Sequence, residues 1–371
     1  MYAKCIVLFT IVVVSTSQPV PATGQPPARP IKLWSRNLSV DENVKMQVQS
    51  LIFSREGNSV GVYSTYFAKF DTIYRDFAKL SLLNSTDGTM RANESIGMVR
   101  IAADDRRQVA FLANERLLFA VDGRMVIMNS SNGKIETSSK NDAKLYLSTW
   151  SITNGSVLML LAQNGKAKLS LNKEINENMH ARSPLREIGS ASIAINTDRL
   201  EEGLSYLVSV SANGAYLAVG ELSNTPGGSP LTLYRISTDS GVKVDILHRT
   251  SSTAPSCVRL SPAGDLLAIG AKDGGIKLLG TKVVDGKLLE YASFRRTNWT
   301  IADIAFSPNG KSMALCSTGD KDVWLVDIEK KISTDKIALT DIPTSLAFSP
   351  NGKTLAIGTF QGRVELWGIN N

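Results

Sequence analysis

Histidine and cysteine are both scarce: this chain of 371 residues holds only His180 and His248, and only Cys5, Cys257 and Cys316. No Cys-x-x-Cys pair or acidic cluster accompanies them, so the ligand spacings that hold a metal are missing and no metal or other cofactor is expected. There is no P-loop, no Gly-x-Gly-x-x-Gly after a strand and no nucleophile elbow between a strand and a helix. The formal charge is +7, yet no Lys/Arg block exceeds two neighbours; Arg106-Arg107, Arg295-Arg296 and Lys330-Lys331 stand apart. Charge spread in this way reads as solvated surface, with anionic polymers as company and no nucleic-acid partner. Long apolar runs are lacking too. The run Cys5–Val14, interrupted only by Thr10, is half of the about 20 residues that cross a bilayer.

That run follows Lys4 and precedes Ser15-Thr16-Ser17. A charge, a short apolar core and small residues read as a secretory signal peptide over residues 1–17, cut near Ser17 or Ala22. The expected location is therefore outside the cytoplasm, periplasmic or extracellular, with no integral membrane span after cleavage and a membrane anchor if the segment stays. Residues 18–30 (QPVPATGQPPARP) carry five prolines and no apolar pattern, the composition of an extended, disordered tether.

From residue 31 onward the chain repeats itself. Thr344 to Gly368 (TSLAFSPNGKTLAIGTFQGRVELWG) holds three short apolar runs separated by Pro/Asn/Gly turns, the pattern of an antiparallel meander. Anchored on Phe348, the unit recurs upstream at Phe306, Leu260 and Val210, and more faintly at Trp150, Ile101 and Phe53. Gly57, Gly214, Gly264, Gly310 and Gly352 lie four residues past their anchors and Gly155 five, whereas Asp105 follows Ile101. Spacings of 42 to 60 residues suit four-stranded propeller blades. The expected fold is all-β: one seven-bladed β-propeller over residues 31–371, with Ile31–Ser39 completing the last blade.

Residues 257–368 resemble WD-repeat (WD40) blades. Trp367 stands where that family has the Trp of its Trp-Asp pair, with Gly368 in place of the Asp, while Asp327 holds the Asp position one blade earlier after Val326. The family's Gly-His before the inner strand is absent throughout. The His–Ser/Thr–Trp–Asp network that the resemblance implies cannot form, and apolar packing between blades is expected to replace it.

Three stretches exceed the repeat. Thr65–Ala78 reads either as a long hairpin turning at Asp71-Thr72 or as a short helix, and concentrates Tyr66, Phe67, Phe70, Tyr74 and Phe77. Asn172–Ser205 is a long connection that must contain an outer strand, and Ser223–Ser229, with Asn224 and Pro226, is a polar loop. Loops between second and third strands emerge on the same propeller face as loops between blades, so all three are expected to decorate one side and form a partner-binding surface. The same aromatics could instead fold back over blade one.

Propeller enzymes act at the central channel. Asp303 is the lone acid among the expected inner-strand starts, and Arg100 and Arg259 are the unusual residues two positions further along. The arginines offer an anion-binding pair, or a structural one with Asp303 as partner. The placement of Cys257 and Cys316 permits a disulfide but does not favour one, and two free, partly buried thiols are expected. Binding is thus favoured over catalysis: a monomeric, exported, non-catalytic scaffold for a protein or peptide. The alternative is a propeller enzyme, such as a lactonase or quinoprotein-like oxidoreductase, acting at the channel.

Overall fold

The computed structural model describes residues 29–369 apart from 40–45, 71–72, 99–108, 113–114, 122–123, 141–144, 153–154, 164–165, 175–184, 197–205, 223–227, 239–240 and 253. The signal-peptide reading and most of the tether lie outside the described residues.

Alternating apolar residues and Gly-containing turns give strands throughout. The first, β1 (Ile31–Asn37), belongs to the end of the ring. Blade one is β2 (Met46–Phe53), β3 (Ser59–Phe70), β4 (Ile73–Asn84) and β5 (Met90–Met98). Blade two is β6 (Val109–Phe111), β7 (Arg116–Val121), β8 (Arg124–Asn129) and β9 (Ile135–Lys140). Blade three is β10 (Leu145–Ser151), β11 (Val157–Gln163), β12 (Lys166–Glu174) and β13 (Leu185–Asn196). Blade four is β14 (Tyr206–Val210), β15 (Tyr216–Glu221), β16 (Ser229–Ser237) and β17 (Lys243–Ser252). Blade five is β18 (Pro255–Leu260), β19 (Leu266–Ala271), β20 (Gly275–Val284) and β21 (Lys287–Arg295). Blade six is β22 (Ile301–Phe306), β23 (Ser312–Ser317), β24 (Asp322–Asp327) and β25 (Ile332–Ala338). Blade seven is β26 (Pro343–Phe348), β27 (Thr354–Thr359) and β28 (Arg363–Gly368), with β1 as its outer strand.

Each of the seven sheets has four antiparallel strands, here a to d from the axis outward. Inner strands face one another around the ring, as in β18 against β22, β22 against β26 and β26 against β2. Apolar side chains fill the spaces between blades. Leu80 and Phe119 meet between blades one and two, and Trp150 and Tyr206 between three and four.

Polar contacts also join the blades. Leu260 N donates to Ser209 Oγ at 2.9 Å, Ser256 Oγ to Ile301 O at 2.8 Å and Thr344 Oγ1 to Val48 O at 2.7 Å. The blade-to-blade joint is thus mixed, because small hydroxyls on inner strands reach main-chain groups of the next blade.

One residue with positive φ lies four positions past the end of every a strand: Gly57, Glu115, Gly155, Gly214, Gly264, Gly310 and Gly352. This corrects two anchors. Blade two turns at Glu115 (φ 59°), so its inner strand ends at Phe111 and not at Ile101, while Met98 closes the outer strand of blade one. In blade three the strand ends at Ser151, one residue past Trp150.

β1 closes the ring. Its register sets Trp34 opposite Leu366 and Lys32 opposite Trp367. Lys32 Nζ lies 2.9 Å from the buried Glu365 Oε2, which also accepts Trp367 Nε1 at 3.0 Å. Trp34 reaches the other way and donates from Nε1 to Ser85 O of blade one at 2.8 Å.

Candidate functional site

Chain direction assigns the loops to two faces. The a–b and c–d turns lie on one, the b–c and d–a connections on the other. Thr65–Ala78 is the hairpin of the two readings. β3 and β4 are twelve residues each and paired from Ser59↔Asn84 to Phe70↔Ile73, so blade one is drawn out on the b–c face. Asn224 and Pro226, in the b–c connection of blade four, lie outside the described residues. The long connection of blade three divides differently from expectation. Its outer strand β13 begins at Leu185, so the c–d connection of blade three is complete before Leu185 and the d–a connection starts only after Asn196.

Strand alternation separates the hairpin aromatics. Tyr66 and Phe77 are cross-strand partners whose rings stack at 5.4 Å and 16°, and Tyr66 packs on the core between blades seven and one. Phe67 faces solvent and is 57% exposed. Near the tip Phe70 pairs with Ile73 and Tyr74 with Lys69; the side chains of Phe70 and Tyr74 lie outside the description.

A second part of this face escaped the sequence reading. The loop 296–300 carries Trp299, 55% exposed, and the b–c turn of blade seven carries Phe360, 48% exposed. Main-chain bonds tie these loops together: Thr318 N to Thr300 O, Leu339 N to Lys321 O and Phe360 N to Ile342 O, all within 2.8–2.9 Å. Thr300 Oγ1 adds a bond to Lys272 O at 3.0 Å. The signal was present in a tryptophan amid the polar stretch RRTNWT and a phenylalanine at a turn, where neither can serve a buried sheet face.

The channel opens on the a–b face into a cavity of about 270 Å³ lined by Phe53, Trp150, Phe306, Phe348, Pro262 and Pro350, with Arg259 and Asp303 deeper. Arg259 Nη2 donates to Asp303 Oδ1 at 2.7 Å, both side chains buried. Asp303 further accepts Ile304 N and Leu346 N, each at 2.9 Å. Arg259 therefore meets its own carboxylate, and Asp303 is engaged on both oxygens. Arg100 lies outside the described residues, and the inner-strand position expected for it in blade two belongs to Ala110. Cys257 and Cys316 are both buried thiols, Cys257 Sγ lying 4.0 Å from Asp303 Oδ1. Among the described residues no three His, Cys, Asp or Glu side chains are grouped to hold a metal ion, and no helix is long and apolar enough to cross a membrane.

Residues 338–368, which span blade seven from the end of β25, match the WD40 family model, described as WD domain, G-beta repeat. The crystal structure of the Cps50 (Swd1) β-propeller domain of Myceliophteria thermophila superposes with a TM-score of 0.56, covering 87% of this chain and 96% of its own. The chain is a seven-bladed β-propeller whose last blade is similar to a WD40 repeat. At 13% identity the superposition speaks for the fold alone. A search of curated proteins finds no match. Blade seven, which matches the WD40 repeat, is also the blade that β1 closes.

Proposed function

We propose that this propeller is an exported, non-catalytic scaffold that binds a protein or peptide through its b–c/d–a face. WD40 propellers are generally binding scaffolds. The observation that carries the proposal here is the blade-one hairpin, whose twelve-residue strands project exposed Phe67 on that face. Exposed apolar area on a projecting element is a recurrent mark of a partner surface. Export rests on the composition of residues 1–17. Sequencing the amino terminus of protein recovered from medium or periplasm tests it: a start near Gln18 or Thr23 is expected, and retention in the cytoplasm with Met1 intact overturns it.

The binding reading is tested by replacing Phe67–Asp76 with a two-residue turn, which keeps the core-packed Tyr66 and Phe77. Partner capture should be lost while the melting transition is kept. Capture that survives the deletion refutes the role of the hairpin.

A further inference from the structure

We infer that the strip of loops across blades five to seven binds an acidic peptide segment bearing one aromatic or aliphatic anchor residue; this rests on the reading of the b–c/d–a face as the binding face.

Trp299 is held ready. Its ring lies flat on Gly319, where an added Cβ would come within 2.0 Å of the indole Cδ2, so one ring face rests on the blade-six turn while more than half of the residue stays open. The loop beneath is equally tight, since a Cβ on Gly274 of blade five would sit 2.1 Å from Thr297 O. A tryptophan fixed in this way loses little freedom on binding, which is what makes such residues strong anchors. Phe360 adds exposed apolar area on the adjoining blade.

The strip carries more cations without an ion pair than acids without one. Exposed Lys272 and Lys321 form no ion pair among the described residues, and the Arg296 guanidinium is set over the Phe294 ring at 5.3 Å. Of the acids, Asp273 is neutralised by a cation, while Asp320 and Asp341 keep their charge and are fixed by hydrogen bonds. Asp273 pairs with Arg295, Asp341 is buried and accepts Ile342 N and Gln361 N, and Asp320 accepts Ser317 Oγ. An incoming chain therefore meets cations around an indole on a hydrogen-bonded frame. Carboxylates flanking an apolar side chain complement that surface, and like charge is repelled.

The test measures fluorescence anisotropy of the full chain with fluorescein-labelled peptides of about twelve residues. One peptide places Asp and Glu around a central Phe, a second replaces the acids by Lys, and a third replaces Phe by Ala. An oligothymidylate of similar length is the fourth probe, because aromatic and basic groups together also suit single-stranded nucleic acid. The acidic Phe peptide should bind at least about tenfold tighter than the other three and weaken in about 0.5 M salt. Trp299→Ala and Lys321→Glu should each weaken it about fivefold or more at an unchanged melting point. Should one variant unfold, Phe360→Ser replaces it.

No binding, equal binding of the Lys peptide, tighter binding of the oligonucleotide, or affinity untouched by both substitutions overturns the inference. These variants keep the blade-one hairpin whole. A partner that is lost on hairpin deletion but kept by Trp299→Ala and Lys321→Glu would leave the face reading standing and remove only the acidic strip.

Discussion

Arg259 of blade five and Asp303 of blade six form a buried ion pair at 2.7 Å, and the second oxygen of the same carboxylate holds Leu346 N of blade seven. Three inner strands are thus tied at one side chain. Removing one member leaves a buried charge alone, at a cost of about 3–5 kcal/mol, whereas replacing both by apolar residues is far less harmful. Asp303→Ala is therefore expected to lower the unfolding midpoint sharply, and Arg259→Met/Asp303→Leu to recover much of the loss. A double variant no more stable than Asp303→Ala would show that the bond to Leu346 N, not the pair, is what matters.

Asp327 closes the c–d turn of blade six. Its carboxylate accepts Lys330 N at 2.8 Å and pairs with Lys330 Nζ at 3.1 Å, and the main-chain bond is the chief reason that its pKa lies below the ordinary 3.8. A depressed folded pKa contributes stability that is whole above the unfolded value and is lost as pH falls through the folded one. Carboxyl NMR titration should place Asp327 below the ordinary value and leave most of the depression in Lys330→Ala, which keeps the backbone donor. A return to the ordinary value in that variant would assign the effect to the ammonium instead.

How much of this was legible beforehand depended on the left-handed turn position. Where glycine lies four residues past the anchor, as at Gly310 and Gly352, the blade is read in register, whereas Gly155, five past Trp150, marks an anchor set one residue early. Blade two holds Glu115 there, a residue that reaches φ 59° without announcing it, so the repeat was pinned about ten residues early on what is the junction after β5. Closure by Ile31–Asn37 was readable because blade seven ran out of strands before the chain ran out of pattern. Side-chain pairing across blades was readable only where opposite charges stood alone in apolar strands, as with Arg259 and Asp303. Trp299 and Phe360 were missed because exposure depends on which loops neighbour each other, and that is a property of the closed ring.

Cys257 and Cys316 are 2% and 0% exposed and stand as thiols. Reagent access to such groups requires opening of the blade edge, so modification should follow unfolding and not surface chemistry. In protein starting at Gln18, Ellman's reagent should find no reactive thiol in the native state and two in denaturant. Rapid native reaction, or fewer than two thiols after unfolding without reductant, would contradict the buried, unbridged state.

The clasp between β1 and the ring makes the strongest demand on one aromatic residue. Trp34 bonds Ser85 O and lies against Gly88, whose φ is +70° and where a Cβ would approach the indole to 2.7 Å. Trp34→Ala removes the contact and the donor together and is expected to cost roughly 3 kcal/mol. Gly88→Val should be comparably harmful, because it adds bulk against the same ring at a left-handed position. Lys32→Met should cost less, about 1–3 kcal/mol, since Glu365 keeps the Trp367 Nε1 donor but loses its countercharge. Since β1 is an outer strand that pairs with β28 alone, all three should speed hydrogen exchange first in β1 and β28 and only later in β14–β17 across the ring. Uniform acceleration in every blade would mean that the ring opens as one unit and that the clasp is not its seam.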